Sequence, residues 1–442
     1  MNVDPRLAMR IAPSLAWRKL VLPLARTGDE VVVACADELD EATRAALVKA
    51  FSPLTLKPLR LGRDEIRRQL VRVFGGAASA AAEDDPVALT DAIFRAARLA
   101  RASDIHFNPD HGALAVNFRV DGEIERFREY PPAAALAIVN RIKVLSKMDI
   151  AERRVPQDGG FTLPGERFGS VIDVRAATLP ARGGERVTLR LLAAAAGELT
   201  LSTLGMDAAQ LKAVSEVLAS PHGLFLLTGP TGSGKSTTLY AAIRHLIAAR
   251  PLNVLTVENP IEYEIPGAVQ CEVDEADKVS FAKALRSLLR HDPDVVMIGE
   301  IRDRESLDVA VKAALTGHLV LSTLHANDAV GAVTRLRNLE LEDHLIAATL
   351  RVSIAQRLVR RLCGECHGAG CLACSGRGFF GRLGLFEIFR PDAALSALVA
   401  DGAGEAVLRS AALGAGFVPL KDDAAAKVAA GLTTAAEVAH SL

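Results

Sequence analysis

The chain has no excess of charge of either sign. Its 52 lysines and arginines face 53 aspartates and glutamates, for a net charge of −1. Nothing in that balance demands a nucleic-acid partner, because phosphate backbones are held by a cationic surplus. Long hydrophobic runs are missing too. No stretch reaches the roughly 18 apolar residues that cross a bilayer, so no transmembrane segment is expected. The first twenty residues, MNVDPRLAMRIAPSLAWRKL, carry charges throughout and hold no apolar core segment, so no signal peptide is expected. Cysteine is scarce, six in 442 residues. In the cytoplasm, the compartment these absences imply, thiols stay reduced, and a disulfide framework is not expected. A long-period repeat is also absent.

Half the residues are hydrophobic and 24% are charged, the balance of a globular rather than a disordered chain. The length suits two to four domains. Forty of the 52 basic residues are arginine. Arginine is the better fork for phosphate or carboxylate, but genomic bias toward Ala and Arg is the plainer reading.

Residues 1–75 read as a first small N-terminal domain. VVVACA (31–36) is a buried strand, followed by helices from Glu41 to Phe51 and from Arg63 to Phe74. A linker is expected over 76–85. Residues 86–192 read as a second α+β domain, with helices from Val87 to Arg101 and from Ala133 to Met148. A hairpin turn is expected at Asp121–Gly122, and FTLPGERFGSVIDVRAATL and ERVTLRLL read as further strands. Residues 193–198 are a second linker. Residues 199–360 alternate apolar strands and helices, as in a parallel α/β sheet. GLFLLTG, NVLTVEN, DVVMIGE and LVLSTLH are its strands, each ending in polar residues on the side where open α/β sheets bind ligands. A cysteine-rich element (361–385) and a helical tail (386–442) follow, the tail closing on a capping box, Thr434-x-x-Glu437.

The stretch Gly229-Pro230-Thr231-Gly232-Ser233-Gly234-Lys235-Ser236-Thr237 fits G-x-x-x-x-G-K-[ST] and lies where a strand hands over to a helix. Its glycines let backbone N–H groups turn inward around phosphates at the positive end of that helix. Lys235 is expected to reach the β and γ phosphates, and Ser236 to place its hydroxyl on Mg²⁺. Hydrolysis also needs a carboxylate near the metal and a group that orients water. Glu258 ends one strand and Glu300 follows another across Gly299. Either could be a helix cap or a surface residue, but the phosphate loop upstream favours function for both. Glu262 stays open between the two readings. His318 and His325 flank LVLSTLH; for a lone histidine, a satisfied core or turn position is the ordinary reading.

Taken together, GPTGSGKSTTLYAAI, TVENPIEY, LRSLLRHDPDVVMIGEIRD, TGHLVLSTLHANDAVGAVTRL and AQRLVRRLC resemble the type II secretion and type IV pilus assembly ATPases, hexameric P-loop motors of the secretion ATPase superfamily. Upstream, ASDIHFNP, FRVDGEI, RRVPQDGG, IDVRAATLP and GERVTLRLL are similar to the family's second N-terminal domain. The resemblance implies an α/β multidomain fold with a RecA-like P-loop motor domain. Before it come two smaller α+β N-terminal domains, the second PAS-like. After it come an inserted Cys₄ element and a helical C-terminal tail. The implied roles are Glu258 as general base, Glu300 as the acid on the Mg²⁺ side, and Thr323 and His325 as residues near the γ-phosphate. Arg175 is implied as the first cationic lid over the nucleotide, ahead of Arg190 and Arg141. An ordinary strand arginine in a salt bridge is the competing reading for these three.

Three positions depart from the family pattern. Asn259 stands where an aspartate is usual, which drops a charge. Gly160 follows PQDG where arginine is usual, leaving Arg175 or Arg154 to serve. Asn108 stands where glutamate is common.

Cys363-x-x-Cys366-x₄-Cys371-x-x-Cys374 supplies two knuckles and four thiolates, a set suited to tetrahedral Zn²⁺. Four cysteines leave no vacancy for His367 and no open position for catalysis. The family carries a tetracysteine element with a longer insert between its knuckles. Cys35 and Cys271 read as small apolar residues.

The expectation is a cytoplasmic, homohexameric ATPase, peripheral at the inner membrane, using ATP, Mg²⁺ and Zn²⁺. It would drive assembly of a pseudopilus for type II secretion, acting on an inner-membrane platform protein and docked by a cytoplasmic-face partner. Type IV pilus assembly is the alternative within the family. A nucleic-acid motor and a non-hydrolysing nucleotide-binding module are the remoter ones.

Overall fold

Apolar runs become strands, and the fold follows from which of them are buried on one face and which on two. A computed structural model describes residues 3–75, 85–168, 170–193, 199–273 and 280–442. The chain forms two compact units, 1–194 with 360–381 and 195–359 with 382–442. Apart from Asp85 and Ala193, the expected linkers at 76–85 and 193–198 lie outside the described residues.

The first unit begins with a three-stranded sheet of β1 (Val21–Thr27), β2 (Glu30–Cys35) and β3 (Thr55–Arg60). β1 and β2 are antiparallel, whereas β2 and β3 are parallel, and the helix Glu41–Phe51 makes the crossover a parallel pair needs. Asp40 caps that helix by accepting from the Thr43 N–H at 2.7 Å. The helix Arg63–Phe74 buries Ile66, Leu70 and Val73, the spacing seen in the sequence.

A six-stranded sheet follows, made of β4 (Ala102–Asp110), β5 (Ala113–Val120), β6 (Glu123–Tyr130), β7 (Gln157–Leu163), β8 (Ile172–Ala181) and β9 (Gly184–Ala193). Its order is β6-β5-β4-β9-β8-β7. The β5–β6 turn has Asp121 at φ 51° and Gly122 at φ 101°, the left-handed pair that a two-residue hairpin turn demands. Ile105, Phe107, Val116, Phe118 and Leu189 lie in one buried cluster with Ile93, Phe94 and Ile138 of the helices Pro86–Ala100 and Pro132–Leu145. Two details differ from the sequence reading. Residues Gly165–Phe168 form a helical turn within the stretch read as strands, where Phe168 meets Phe94 edge-on. The helix expected to reach Met148 stops at Leu145, and Lys147 has left-handed φ at 58°.

The second unit is built on a seven-stranded sheet of β10 (Gly223–Thr228), β11 (Val254–Glu258), β12 (Ala268–Glu272), β13 (Val295–Ile298), β14 (Leu319–Leu324), β15 (Leu350–Leu362) and β16 (Phe379–Phe389). The order is β12-β11-β13-β14-β10-β15-β16, and the pairs from β12 through β15 are parallel. Every residue of β10, β11, β13 and β14 is buried, as expected of parallel strands covered on both faces. One covering core includes Leu307 and Val311 of the helix Arg304–Leu315, and the other Leu239 and Ile243 of the helix Lys235–Ala249. The tail expected to be helical from 386 begins instead as the end of β16, which runs to Phe389 because Leu385, Phe386 and Phe389 are buried in the sheet. Helices follow from Ala393 to Ala435–Ser441, where Thr434 accepts from the Glu437 N–H at 3.3 Å, one half of the expected capping box. Among the described residues no helix is long and apolar enough to cross a membrane.

Candidate active site and metal centre

The parallel register brings four chain segments to one edge of the seven-stranded sheet. Val257 pairs with Ile298, Ile298 with Ser322, and Leu226 with Ser322. Glu258, Gly299–Glu300, Thr323–His325 and the phosphate loop therefore all emerge at the C-terminal ends of adjacent strands, where α/β sheets place their ligands.

The phosphate loop runs from Thr228 into the helix Lys235–Ala249. Two of its glycines are required by space as well as by φ. A Cβ on Gly229 would lie 2.6 Å from the Gln356 carbonyl oxygen, and one on Gly234 2.8 Å from Gln356 Nε2. Gln356 in turn accepts from Thr238 Oγ1 at 2.8 Å, so β15 buttresses the loop from behind. Lys235 folds over the loop and donates to the carbonyl oxygens of Gly229 and Pro230 at 2.7 and 3.0 Å. Burial pulls its ammonium below the ordinary lysine value, Glu300 opposes that and Arg357 adds to it. Arg357 donates to the Asn327 carbonyl oxygen at 2.9 Å, which ties the segment after His325 to β15. Ser236 is exposed at the helix start, while Ser233 Oγ is buried without a hydrogen-bond partner.

Glu258 and Glu300 sit in contrasting surroundings. Glu258 is buried and accepts from Thr256 Oγ1 at 2.6 Å, from Gln270 Nε2 at 3.0 Å and from the Tyr240 hydroxyl. Glu300 is partly exposed, accepts from Arg302 and has His325 Nε2 at 3.4 Å. Burial alone would raise the Glu300 carboxyl, but Arg302 and His325 outweigh it and hold the group below its usual value. Thr323 Oγ1 donates to the Gly299 carbonyl oxygen at 2.8 Å and so fixes the turn that carries Glu300. Asn259 is exposed, and the Glu262 N–H donates to the Tyr240 hydroxyl at 3.2 Å. His318 lies at the opposite end of β14, its Nδ1 3.0 Å from the Ala313 carbonyl oxygen, where it closes the preceding helix.

Arg175 belongs to the first unit. On the more exposed face of the six-stranded sheet it stands between Gly160 of β7 and Arg190 of β9, its two cross-strand partners. Arg190 is paired with Asp104 at 3.1 Å and Arg154 with Glu152 at 3.3 Å. Sequence reasoning singled out none of Tyr240, Gln270, Arg302, Gln356 or Arg357. The available signals were the tyrosine one helical turn past Ser236 and the QR pair within AQRLVRRLC, on the strand next to β10.

The cysteine element lies between β15 and β16. The four Sγ atoms lie within 4.8 Å of one another, and none is in a disulfide. Three of the separations are Cys363–Cys371 at 3.7 Å, Cys366–Cys374 at 3.8 Å and Cys371–Cys374 at 3.8 Å. A regular tetrahedron with Zn–S bonds of about 2.3 Å has edges of about 3.8 Å, so the sulfurs fit that ion. Backbone N–H groups of Gly370, Cys371 and Gly378 each point at a sulfur from 3.2 Å. Burial raises the Cys374 thiol, but the N–H groups of Cys371 and Gly378 win and lower it, whereas burial pushes the Cys371 thiol up to about 12. The element rests within the first unit on Glu125, which takes Arg377 Nε at 2.8 Å, and on Asp121, which accepts from the Gly381 N–H at 3.1 Å.

Comparison with known proteins supplies the family. Residues 80–440 match the model of the type II/IV secretion system protein family, and residues 1–80 match the MshEN domain. The chain belongs to the type II/IV secretion system protein family. It is 45% identical over 360 residues to the type II secretion system protein HxcR of Pseudomonas aeruginosa, covering 80% of this chain and 76% of that protein. It is 42% identical over 383 residues to the type II secretion system ATPase E of Vibrio cholerae, covering 80% and 75%. Among solved structures, the pilus retraction motor PilT with bound ADP is similar at a TM-score of 0.58 and 27% identity, covering 79% of this chain and 96% of that one. The ATPase DotB of Legionella pneumophila shares the fold at a TM-score of 0.64 and 24% identity, covering 80% and 95%. Family membership makes this chain a secretion ATPase.

Proposed function

We propose that this secretion ATPase works as a cytoplasmic homohexamer at the inner-membrane face, coupling ATP hydrolysis to pseudopilus assembly for type II secretion. Its partners are a membrane platform protein and a docking protein on the cytoplasmic face. The observation that carries the reading is the convergence of Lys235, Glu300 and His325 at one sheet edge, with Glu300 held between Arg302 and His325. In this reading residues 229–237 cradle the phosphates, and Lys235 leaves the two loop carbonyls to neutralise the β and γ phosphates. Ser236 and Glu300 would hold Mg²⁺, which would offset charge on the transferring phosphoryl group. Glu258 orients and deprotonates the attacking water, and His325 follows the γ-phosphate through its contact with Glu300. The cationic group that stabilises the transition state in this reading is Arg175 of this chain or of a neighbouring copy. One Zn²⁺ bound by Cys363, Cys366, Cys371 and Cys374 is structural, because four thiolates leave it no open position.

Phosphate release by the full chain with Mg-ATP tests the site. The expected result is turnover that Lys235→Ala and Glu300→Gln each reduce by at least about 100-fold. Wild-type rates in either variant would remove the assignment. Stimulation by single-stranded DNA would favour a nucleic-acid motor instead.

A further inference from the structure

Tyr240 is 1% exposed, and its hydroxyl is where two parts of the site meet. It lies on the helix Lys235–Ala249, one turn beyond Ser236 and on the same helical face. The hydroxyl donates to Glu258 Oε2 and accepts from the Glu262 N–H at 3.2 Å. Its ring packs edge-on against Tyr263 with centroids 4.4 Å apart. Burial first, and then the hydrogen bond to Glu258, hold the phenol above its ordinary value, so it remains a protonated donor. Thr256 and Gln270 serve the other oxygen of Glu258. Thr256 shares β11 with Glu258 and Gln270 is on the adjacent β12, so both orient the carboxylate only within the sheet. Of the three donors, Tyr240 alone belongs to the helix that carries Lys235 and Ser236.

We infer that Tyr240 is a positioning residue for hydrolysis, its hydroxyl setting the Glu258 carboxylate at a fixed place relative to the phosphate loop. The inference rests on the reading of Glu258 as the residue that acts on water. The physical reason is that attack geometry is steep: a displacement of about 1 Å in a reacting group costs on the order of 100-fold in rate. Substrate binding is unaffected by the same displacement, because Tyr240 itself faces Glu258 and Tyr263 and the loop backbone holds the phosphates.

The test uses the full chain with Tyr240→Phe, Glu258→Gln and the double variant, each checked by thermal melting. Tyr240→Phe keeps the ring contact with Tyr263 and loses only the hydroxyl. The expected result is kcat down by about 10-fold or more, affinity for a non-hydrolysable ATP analogue within about twofold of wild type, and a double variant no slower than Glu258→Gln alone. A kcat for Tyr240→Phe within twofold of wild type, or losses that multiply in the double variant, overturns the inference while leaving Glu258 in place. If Tyr240→Phe melts too early to assay at the standard temperature, it is compared with wild type and Gln270→Leu at a temperature below its melting point, and a Gln270→Leu loss as large as that of Tyr240→Phe overturns the special place of the helix. Wild-type turnover by Glu258→Gln removes the underlying reading and the inference with it.

Discussion

Glu258 and Glu300 stand at the ends of neighbouring parallel strands, yet one is fixed by three neutral donors and the other lies between an arginine and a histidine. Glu258 is 3% exposed and is met by a hydroxyl from Thr256, an amide from Gln270 and a phenol from Tyr240. The Glu300 side chain is 21% exposed and meets Arg302 and His325. Neutral, short-range donors fix direction and change little with ionic strength. An exposed arginine partner such as Arg302 can be exchanged for a metal ion at small cost, because exposed ion pairs contribute little to stability. In the proposed mechanism the difference separates a carboxylate that stays where it is from one that would change partners when Mg-ATP binds.

The sharpest way to break that comparison is Glu258→Gln, which keeps the shape and removes the carboxylate. Turnover is expected to fall by about 10²–10⁴-fold with ATP affinity nearly unchanged, read as phosphate release beside analogue binding. Glu300→Gln is expected to cost about 10²-fold and also to raise the Mg²⁺ concentration for half-maximal rate. An equal Mg²⁺ requirement in the two variants would erase the distinction between them.

A smaller effect is expected at the metal centre, a closed counterpart to the open site. Cys366→Ser should lower bound zinc well below the single ion expected per chain, measured by elemental analysis. It should also lower the melting temperature by several degrees, since a structural zinc contributes folding free energy. Unchanged zinc content would refute the four-thiolate assignment.

The smallest expected effect is that of Arg302→Ala. Glu300 is held below its ordinary value, so the stability it contributes is present above the unfolded-state pKa of about 4.3 and is lost as pH falls through the lower folded-state value. Removing Arg302, itself 59% exposed, should raise the Glu300 carboxyl and move that acid loss to higher pH. Solvent screening keeps the stability change below about 1 kcal/mol. Melting curves across pH 3 to 6 check it, and an acid limb that does not move would mean that His325 and burial alone set the group.

The helix Arg63–Phe74 was legible because the spacing of Ile66, Leu70 and Val73 is local, and Glu41–Phe51 because its alanine-rich run favours helix. The turn Asp121–Gly122 was legible because a two-residue hairpin turn selects residues that tolerate positive φ. Other elements were not. β12 alternates between half-buried and exposed residues and ends up as an edge strand, so it carries no apolar run to read. The turn at Gly165–Phe168 depends on a contact with Phe94, more than seventy positions earlier.

The sequence by itself determined the phosphate loop and the cysteine tetrad, because each is a short-range pattern whose backbone and ligand demands fall within a dozen residues. It also marked Glu258, Glu300 and His325 as polar ends of apolar strands. Only the tertiary structure decided that Tyr240 and Gln270 meet on Glu258, that Arg302 and His325 meet on Glu300, and that Gln356 closes behind Gly234. Those meetings depend on strand order and register. Both are set by how the sheet buries its two faces, a property of the whole unit that no short stretch of chain contains.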